Sequence, residues 1–158
     1  MFENKKKSQN IRLRSMKKNE INSVISLVKK LKLPVEHVLE YNNFFIVAEY
    51  QNKIIGCGCL TFYDNNIVEI RSIAVKKRFQ KRRVGSKIIK KLFEIAKRKN
   101  IHTVYTRTSM KTKGFFLKLE FKEMPKNMIL RLFDKCKSCE KYVNNKCDSI
   151  LMDVNLLE

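Results

Sequence analysis

A strand-like run, Ile67 to Val75 (IVEIRSIAV), passes through the basic turn Lys76 to Arg83 directly into a helix-like run that opens at Val84 (VGSKIIKKLFEIAK), and this join constrains the fold more than any other segment. From Val84 the apolar residues Ile88, Ile89, Leu92, Phe93, Ile95 and Ala96 fall on one helical stripe, with Lys87, Lys90, Lys91 and Lys97 on the other face. A glycine-containing loop that feeds a helix N-terminus is a physical anion trap. The first-turn N–H groups lack internal acceptors and the helix dipole adds partial positive charge. Lys81, Arg82 and Arg83 strengthen the trap, so the segment predicts a phosphate-bearing ligand; the plain alternative is a solvated basic surface.

The flanking sequence supplies the rest of an α/β architecture. Ile11 to Met16 alternates apolar and basic residues as a half-buried strand does, and Ile21, Val24, Ile25, Leu27, Val28 and Leu31 have helical spacing. Pro34 is expected to stop that helix, with a further helical turn over 35–41. Phe44 to Tyr50, Lys53 to Tyr63 and Ile67 to Val75 predict three antiparallel strands joined by turns at 51–53 and 64–66. Beyond the amphipathic helix, the pattern predicts a strand over Ile101 to Thr106, a short helix over Phe115 to Leu119, a strand region beginning at Phe121, and a final strand around Ile150 to Val154.

The 158 residues, 44% of them apolar, suit one core, and no Gly/Ser/Pro-rich linker or repeat divides the chain. The expectation is one domain over 1–158, with a basic tail at 1–9 and a Cys-rich C-terminal extension at 134–158 packed on the body. Lys plus Arg number 35 against 15 Asp plus Glu, a net +20, yet the apolar content is too high for a disordered chain. No apolar stretch approaches the ~20 residues of a membrane-spanning helix, and the charged N-terminus has no apolar signal region, so a cytoplasmic protein is expected. The positive charge suits nucleic acid, an anionic membrane surface or a phosphate-bearing small molecule, and charge alone does not choose among them.

Two signatures then point to a family. Gln80-Lys81-Arg82-Arg83-Val84-Gly85-Ser86 resembles the Q/R-x-x-G-x-G/A acetyl-CoA loop of the GNAT N-acetyltransferase superfamily, and Phe115-Phe116-Leu117-Lys118-Leu119-Glu120-Phe121 resembles its later F-[FY]-x-K-L-G-F run. Within the superfamily the chain is most similar to the short stand-alone N-acetylglutamate synthase-like proteins. The similarity rests on Gly56-Cys57-Gly58-Cys59-Leu60, on Glu69 to Val75, and on Cys136-Lys137-Ser138-Cys139 followed by Cys147-Asp148. The resemblance implies a mixed, mostly antiparallel central sheet flanked by helices. It also implies acetyl-CoA as co-substrate and transfer of the acetyl group to the α-amine of a small acidic amino acid, L-glutamate, as in arginine biosynthesis.

By the same resemblance, the main chain of Ile73, Ala74 and Val75 pairs with the pantetheine arm. The N–H groups of Lys81, Arg82, Arg83, Val84, Gly85 and Ser86 hold the pyrophosphate, Gln80 takes the first position of the cofactor-binding motif, and Phe116 lies against the cofactor. Glu69 matches the general base; its alternative is a cross-strand partner for a cation. Arg71 shares a strand face with Glu69 and is suited to clamp a substrate carboxylate, or else to pair with Glu69 itself. Arg107 is a second carboxylate-binding candidate, with Thr108 and Ser109 as polar neighbours. Three departures from the family pattern stand out: Arg83 replaces the first loop glycine, Glu120 replaces the glycine of K-L-G-F, and Phe116 offers no hydroxyl to protonate a departing thiolate.

Cys136, Cys139 and Cys147 give three thiols where a structural zinc site takes four ligands, so packing thiols or a redox-labile pair are favoured over metal. His37 and His102 carry no motif. The expected partners are acetyl-CoA and a small amino-acid acceptor, with no membrane; nucleic acid along the basic surface and a homodimer stay open. The rival activities are acetylation of protein N-termini or lysines, and nucleic-acid binding on a degenerate version of the same fold.

Overall fold

The computed structural model describes residues 10–40, 43–63 and 65–157; the expected basic tail at 1–9, residue 41 at the end of the expected helical turn, residue 42, position 64 of the second turn and residue 158 at the end of the C-terminal extension lie outside them. Strands β1 (Arg12–Ser15), β2 (Asn43–Tyr50), β3 (Lys53–Phe62) and β4 (Val68–Val75) form an antiparallel meander, with helix α1 (Ile21–Lys30) between β1 and β2. Helix α2 (Val84–Arg98) then leads to β5 (Thr103–Thr108), α3 (Met110–Leu117), β6 (Lys122–Glu123), α4 (Met128–Leu132), α5 (Glu140–Val143) and β7 (Ile150–Asn155). Among the described residues seven strands lie in the order β1-β2-β3-β4-β5-β7-β6, and only β4 and β5 run parallel. Among the described residues no helix is long and apolar enough to cross a membrane.

Local chemistry accounts for the joins. Gln51 and Asn52 both have positive φ, 49° and 60°, the geometry of the tight hairpin turns whose twist matches that of the strands, so Lys53 already belongs to β3. Helix α1 ends before Pro34 acts: Lys32 adopts φ 58° and the Leu33 N–H reaches back to the Val28 carbonyl, a left-handed C-terminal cap.

Three expectations need correction. The helix expected over Phe115 to Leu119 starts at Met110, because Ser109 is extended and its carbonyl accepts the N–H groups of Thr112 and Lys113; the polar Lys111-Thr112-Lys113-Gly114 turn carries no apolar signal. The strand expected at Ile101 to Thr106 spans Thr103–Thr108, which moves Arg107 inside it. The strand region at Phe121 shrinks to the two residues of β6, Phe121 itself being buried in the core. The final strand falls where expected, as β7, and it enters the sheet between β5 and β6, pairing Thr103 with Asn155 and Lys122 with Asp153.

The sheet divides the core in two. On one face Ile46, Leu60, Ile70, Ile88, Ile89 and Leu92 pack α2 against β2, β3 and β4; on the other Val24, Val28, Phe45, Val47, Cys57 and Cys59 pack α1. Each fully buried Ile or Leu of α2 contributes about 1.5–3 kcal/mol from removal of apolar surface. Close approach of α2 depends on Gly58, where an added Cβ would stand 2.8 Å from the Cγ2 of Ile88 and closer still to the Cδ1 of Ile73.

A bulge in β4 sets up the site. Cys57 pairs with Ala74 and Cys59 with Arg71, so Ser72 and Ile73 together oppose Gly58, and Ser72 takes φ 55°. Below the bulge Glu69 and Arg71 share the α1 face with Cys59 and Thr61, as the strand period predicts. At the bulge the phase slips, and Ile73 packs with the α2 side while Ala74 belongs to the α1 cluster.

Candidate active site

The parallel ladder between β4 and β5 consists of the single pair Glu69 and Tyr105 among the described residues, and the site is built at that junction. Glu69 is 1% exposed. A carboxylate so buried needs compensation for lost hydration, and it has three donors. Arg107 donates from Nε to Oε1 at 2.8 Å and from Nη2 to Oε2 at 2.9 Å, and the Tyr63 hydroxyl donates to Oε2 at 2.6 Å. Arg71 stands further off, its Nε 3.8 Å from Oε2, with Nη1 3.4 Å from the Tyr63 hydroxyl.

Of the two arginines expected to meet a substrate carboxylate, Arg107 is therefore occupied by Glu69, and Arg71 keeps most of its donor capacity. Burial opposes the charge on Arg107, but its bonds to Glu69 outweigh that effect and hold it firmly cationic. Burial, followed by the neighbouring Glu69 charge, pushes the Tyr63 phenol above its ordinary range. Tyr63 was not singled out from the sequence. The signal was present in the hairpin register: Thr61 pairs with Glu69, so Tyr63, two residues beyond Thr61, lies on the same face.

The C-terminal segment forms the facing wall. The Arg107 guanidinium lies 4.0 Å from the centroid of the buried Phe133 ring, Tyr63 meets the same ring edge-on, and Arg107 Nη1 donates to Cys136 Sγ at 3.2 Å. Asn65 Nδ2 donates to the Leu132 carbonyl at 3.1 Å, tying the turn between β3 and β4 to α4. Between these walls is a cavity of about 490 Å³, with Arg71, Arg107 and Tyr63 on its floor and Glu36, Glu40 and Lys135 toward its rim. Phe133 and Cys136 carry no sequence signal for this role, because they reach Arg107 only through the tertiary placement of α4 and the turn after it.

The loop from β4 to α2 lies on the other branch of β4. Gln80 Nε2 donates to the Val75 carbonyl at 2.8 Å and so braces the loop from within. Lys81 and Arg83 take φ 59° and 63°, and Arg83 occupies the N-cap position, its carbonyl accepting the Lys87 N–H. That first intrahelical bond leaves the Val84, Gly85 and Ser86 amides as free first-turn donors of α2. An added Cβ at Gly85 would lie 3.2 Å from Phe115. The side chains of Lys81, Arg82 and Arg83 are exposed, and Arg82 leans over the Phe79 ring.

Both glycine departures keep the glycine conformation. Arg83 is left-handed, and so is Glu120, at φ 68°, where the Phe121 N–H reaches back to the Phe116 carbonyl to close α3. Phe116 is buried, packed edge-on between Phe115 and Phe121 in the core on the α2 side. His102 is exposed.

The cysteines fall into two groups. Cys57 and Cys59 are fully buried, and burial pushes both thiols up to about 12. Cys136, Cys139 and Cys147 are partly exposed and free. Among the described residues no three His, Cys, Asp or Glu side chains are grouped to hold a metal ion.

The model of the acetyltransferase (GNAT) family matches residues 19–121, which is more than half of the chain. The chain belongs to this family. A relative from Chlorobaculum tepidum, named as an uncharacterized N-acetyltransferase, is 31% identical over 123 residues, 77% of each chain. The GNAT acetyltransferase of Staphylococcus aureus superposes with a TM-score of 0.73 at 18% identity, over 92% of this chain and 99% of that one. N-acetylglutamate synthase of Neisseria gonorrhoeae, solved with coenzyme A and N-acetyl-glutamate, gives a TM-score of 0.73 at 18% identity, over 92% of this chain and 35% of that longer one.

As a GNAT N-acetyltransferase the protein uses acetyl-CoA as its acyl donor. The loop's donor set fits such a cofactor. The first-turn amides and exposed cations of a 15-residue helix suit a pyrophosphate, and no carboxylate stands in the loop from Lys76 to Ser86 to oppose it.

Proposed function

We propose that the protein acetylates the α-amine of a small acidic amino acid, with L-glutamate as the acceptor. The observation that carries this reading is the division of labour around Glu69. Arg107 is spent on the buried carboxylate, whereas Arg71, on the floor of the same cavity, has donors to spare for a substrate carboxylate. Guanidinium donors match a carboxylate in the plane, two bonds at a time. The named activity of the gonococcal structural neighbour adds support for this acceptor class.

Transfer from a thioester requires a neutral amine, stabilisation of the tetrahedral oxyanion, and exit of the thiolate. Glu69 acts as the base. Both of its oxygens already accept hydrogen bonds, so the proton travels through Tyr63: the phenolic oxygen accepts the ammonium proton as its own proton passes to Glu69 Oε2. Arg107 holds the carboxylate in register and Arg71 holds the acceptor. The backbone of Ile73, Ala74 and Val75 aligns the pantetheine arm beside the bulge, and the Lys81 to Ser86 amides with Lys81, Arg82 and Arg83 bind the pyrophosphate. Gln80 is a positioning residue, since its side chain is committed to the Val75 carbonyl. Acetyl-CoA supplies the activated acyl group.

The deciding experiment follows release of free CoA thiol with an amino-acid panel led by L-glutamate, in the wild type, Glu69→Gln and Arg71→Ala. Glutamate-dependent release, lost in Glu69→Gln and shifted to high glutamate concentration in Arg71→Ala, is the expected result. Equal release with lysine-bearing peptides and none with free amino acids would replace this reading with a protein acetyltransferase.

A further inference from the structure

The geometry points to a second chemistry in the acceptor cavity: Cys136 and Cys139 form a dithiol that a small-molecule disulfide oxidises to an intramolecular bridge, releasing the hold of Cys136 on Arg107. Both residues line the cavity, and both are partly exposed, unlike the fully buried Cys57 and Cys59. They stand three apart at the end of a 3-10 turn over Asp134–Ser138, with the Cys139 N–H bonded to the Cys136 carbonyl at 3.2 Å. In that geometry side chains three apart eclipse, so the two thiols start from one side of the turn. Cys136 Sγ accepts a hydrogen bond from Arg107 Nη1 at 3.2 Å, and the same guanidinium chelates Glu69. The dithiol is thus one bond from the residue that orients the proposed base.

The exchange balances as follows. Cys139, whose sulfur is not held by Arg107, attacks one sulfur of the small disulfide as its thiolate; that S–S bond breaks and one small thiolate leaves. Cys136 then attacks the Cys139 sulfur of the mixed disulfide and expels the second small thiolate. The two protons given up by the protein thiols end on the two small thiols. Bridging turns Cys136 Sγ toward Cys139, so Arg107 Nη1 loses its acceptor and the cavity wall formed by the 3-10 turn is redrawn.

The effect on turnover rests on the acceptor-site reading above, so the test separates the two. The full chain is incubated with glutathione disulfide, and the bridge is mapped by peptide mass spectrometry. The Arg107 Nε–H resonance is followed by nitrogen-15 NMR before and after oxidation, and again after reduction. Cys139→Ser and Cys139→Ala serve as variants that cannot bridge. The expected result is a Cys136–Cys139 link, a reversible shift of the Arg107 resonance absent from both variants, and a fall of about tenfold in kcat with L-glutamate at little change in KM, since Arg107 orients the base and Arg71 the acceptor. Absence of the link, a link to Cys147 instead, or a link that leaves the Arg107 resonance in place would each overturn the proposal. If the reduced protein does not accept glutamate, the acceptor reading fails, while the link and the Arg107 resonance still decide the dithiol.

Discussion

Arg107 and Glu69, on adjacent parallel strands, are joined by two hydrogen bonds of 2.8 and 2.9 Å, so the most deeply buried carboxylate among the described residues is held by a guanidinium packed on the Phe133 ring. Removing one member leaves the other charged and desolvated. Arg107→Ala is expected to destabilise the fold by about 3–5 kcal/mol, the usual cost of breaking a buried pair from one side. Arg107→Lys keeps the charge but cannot chelate, and should fall between the variant and the wild type. Urea unfolding of the three proteins checks the order; equal midpoints would show that the pair contributes nothing.

Tyr63→Phe removes the hydroxyl that links the cavity to Glu69 without changing ring packing on Phe133. A proton relay is worth about 10²–10⁴-fold in rate. We expect kcat to fall within that range, with a partial return at high pH, where the acceptor amine loses its proton without help. A Tyr63→Phe enzyme with an unchanged pH–rate profile would remove Tyr63 from the proton path.

The left-handed φ of 63° at Arg83 makes Arg83→Gly a stabilising change at a position beside the cofactor loop. A non-glycine residue in this region costs about 1 kcal/mol, which corresponds to a rise of roughly 2–4 °C in Tm for a chain of this size. Glu120→Gly, at φ 68°, should behave alike and add to it, as the two sites belong to different caps. Scanning calorimetry of the two single variants and the double variant tests both. Acetyl-CoA binding to Arg83→Gly separates backbone relief from loss of a phosphate-facing cation, since the variant gains the first and loses the second.

Gly58→Ala places a methyl group 2.8 Å from Ile88 Cγ2 and against Ile73, within the seam between β3 and α2. Overpacking of this kind costs about 1–3 kcal/mol. Because Ile73 belongs to the bulge, acetyl-CoA affinity should weaken along with stability. Loss of stability with unaltered affinity would mean that the bulge does not position the cofactor.

Acid should loosen the opposite edge of the sheet. Arg14 bonds both Glu20 and Glu49, and its hydrogen bonds to Glu20 hold that carboxyl at about 2, below the 4.5 of a free glutamate. A depressed folded-state value stabilises the fold above the unfolded value and loses that contribution as pH falls from about 4.5 through about 2. Glu20 is partly solvated, so the contribution is roughly 1 kcal/mol after screening. The Tm difference between wild type and Glu20→Gln should therefore be present at neutral pH and shrink across that window.

Much of this protein is local and therefore legible in the chain. The meander of β2, β3 and β4, the basic loop and the amphipathic α2 follow from apolar periodicity and turn chemistry, and the period of two places Glu69 and Arg71 on one face before any contact is known. What the sequence alone could not supply is long-range. A bulge at Ser72 and Ile73 shows only when β3 is laid beside β4, because it is a mismatch of two strand lengths. That Arg83 and Glu120 keep a glycine's backbone conformation is decided by the loop and cap around them, against their own steric preference.

The role of Arg107 required the partner strand and the C-terminal segment. A guanidinium can serve a substrate or a buried carboxylate, and its sequence neighbours do not distinguish the two. The insertion of β7 between β5 and β6 brings Phe133 and Cys136 onto it from a segment that reads in isolation as a cysteine-bearing tail. Periodicity fixes which face a residue occupies, since that depends only on nearest neighbours along the chain. Which charge finds which partner depends on the distances that close when distant segments pack, and only the tertiary structure sets those.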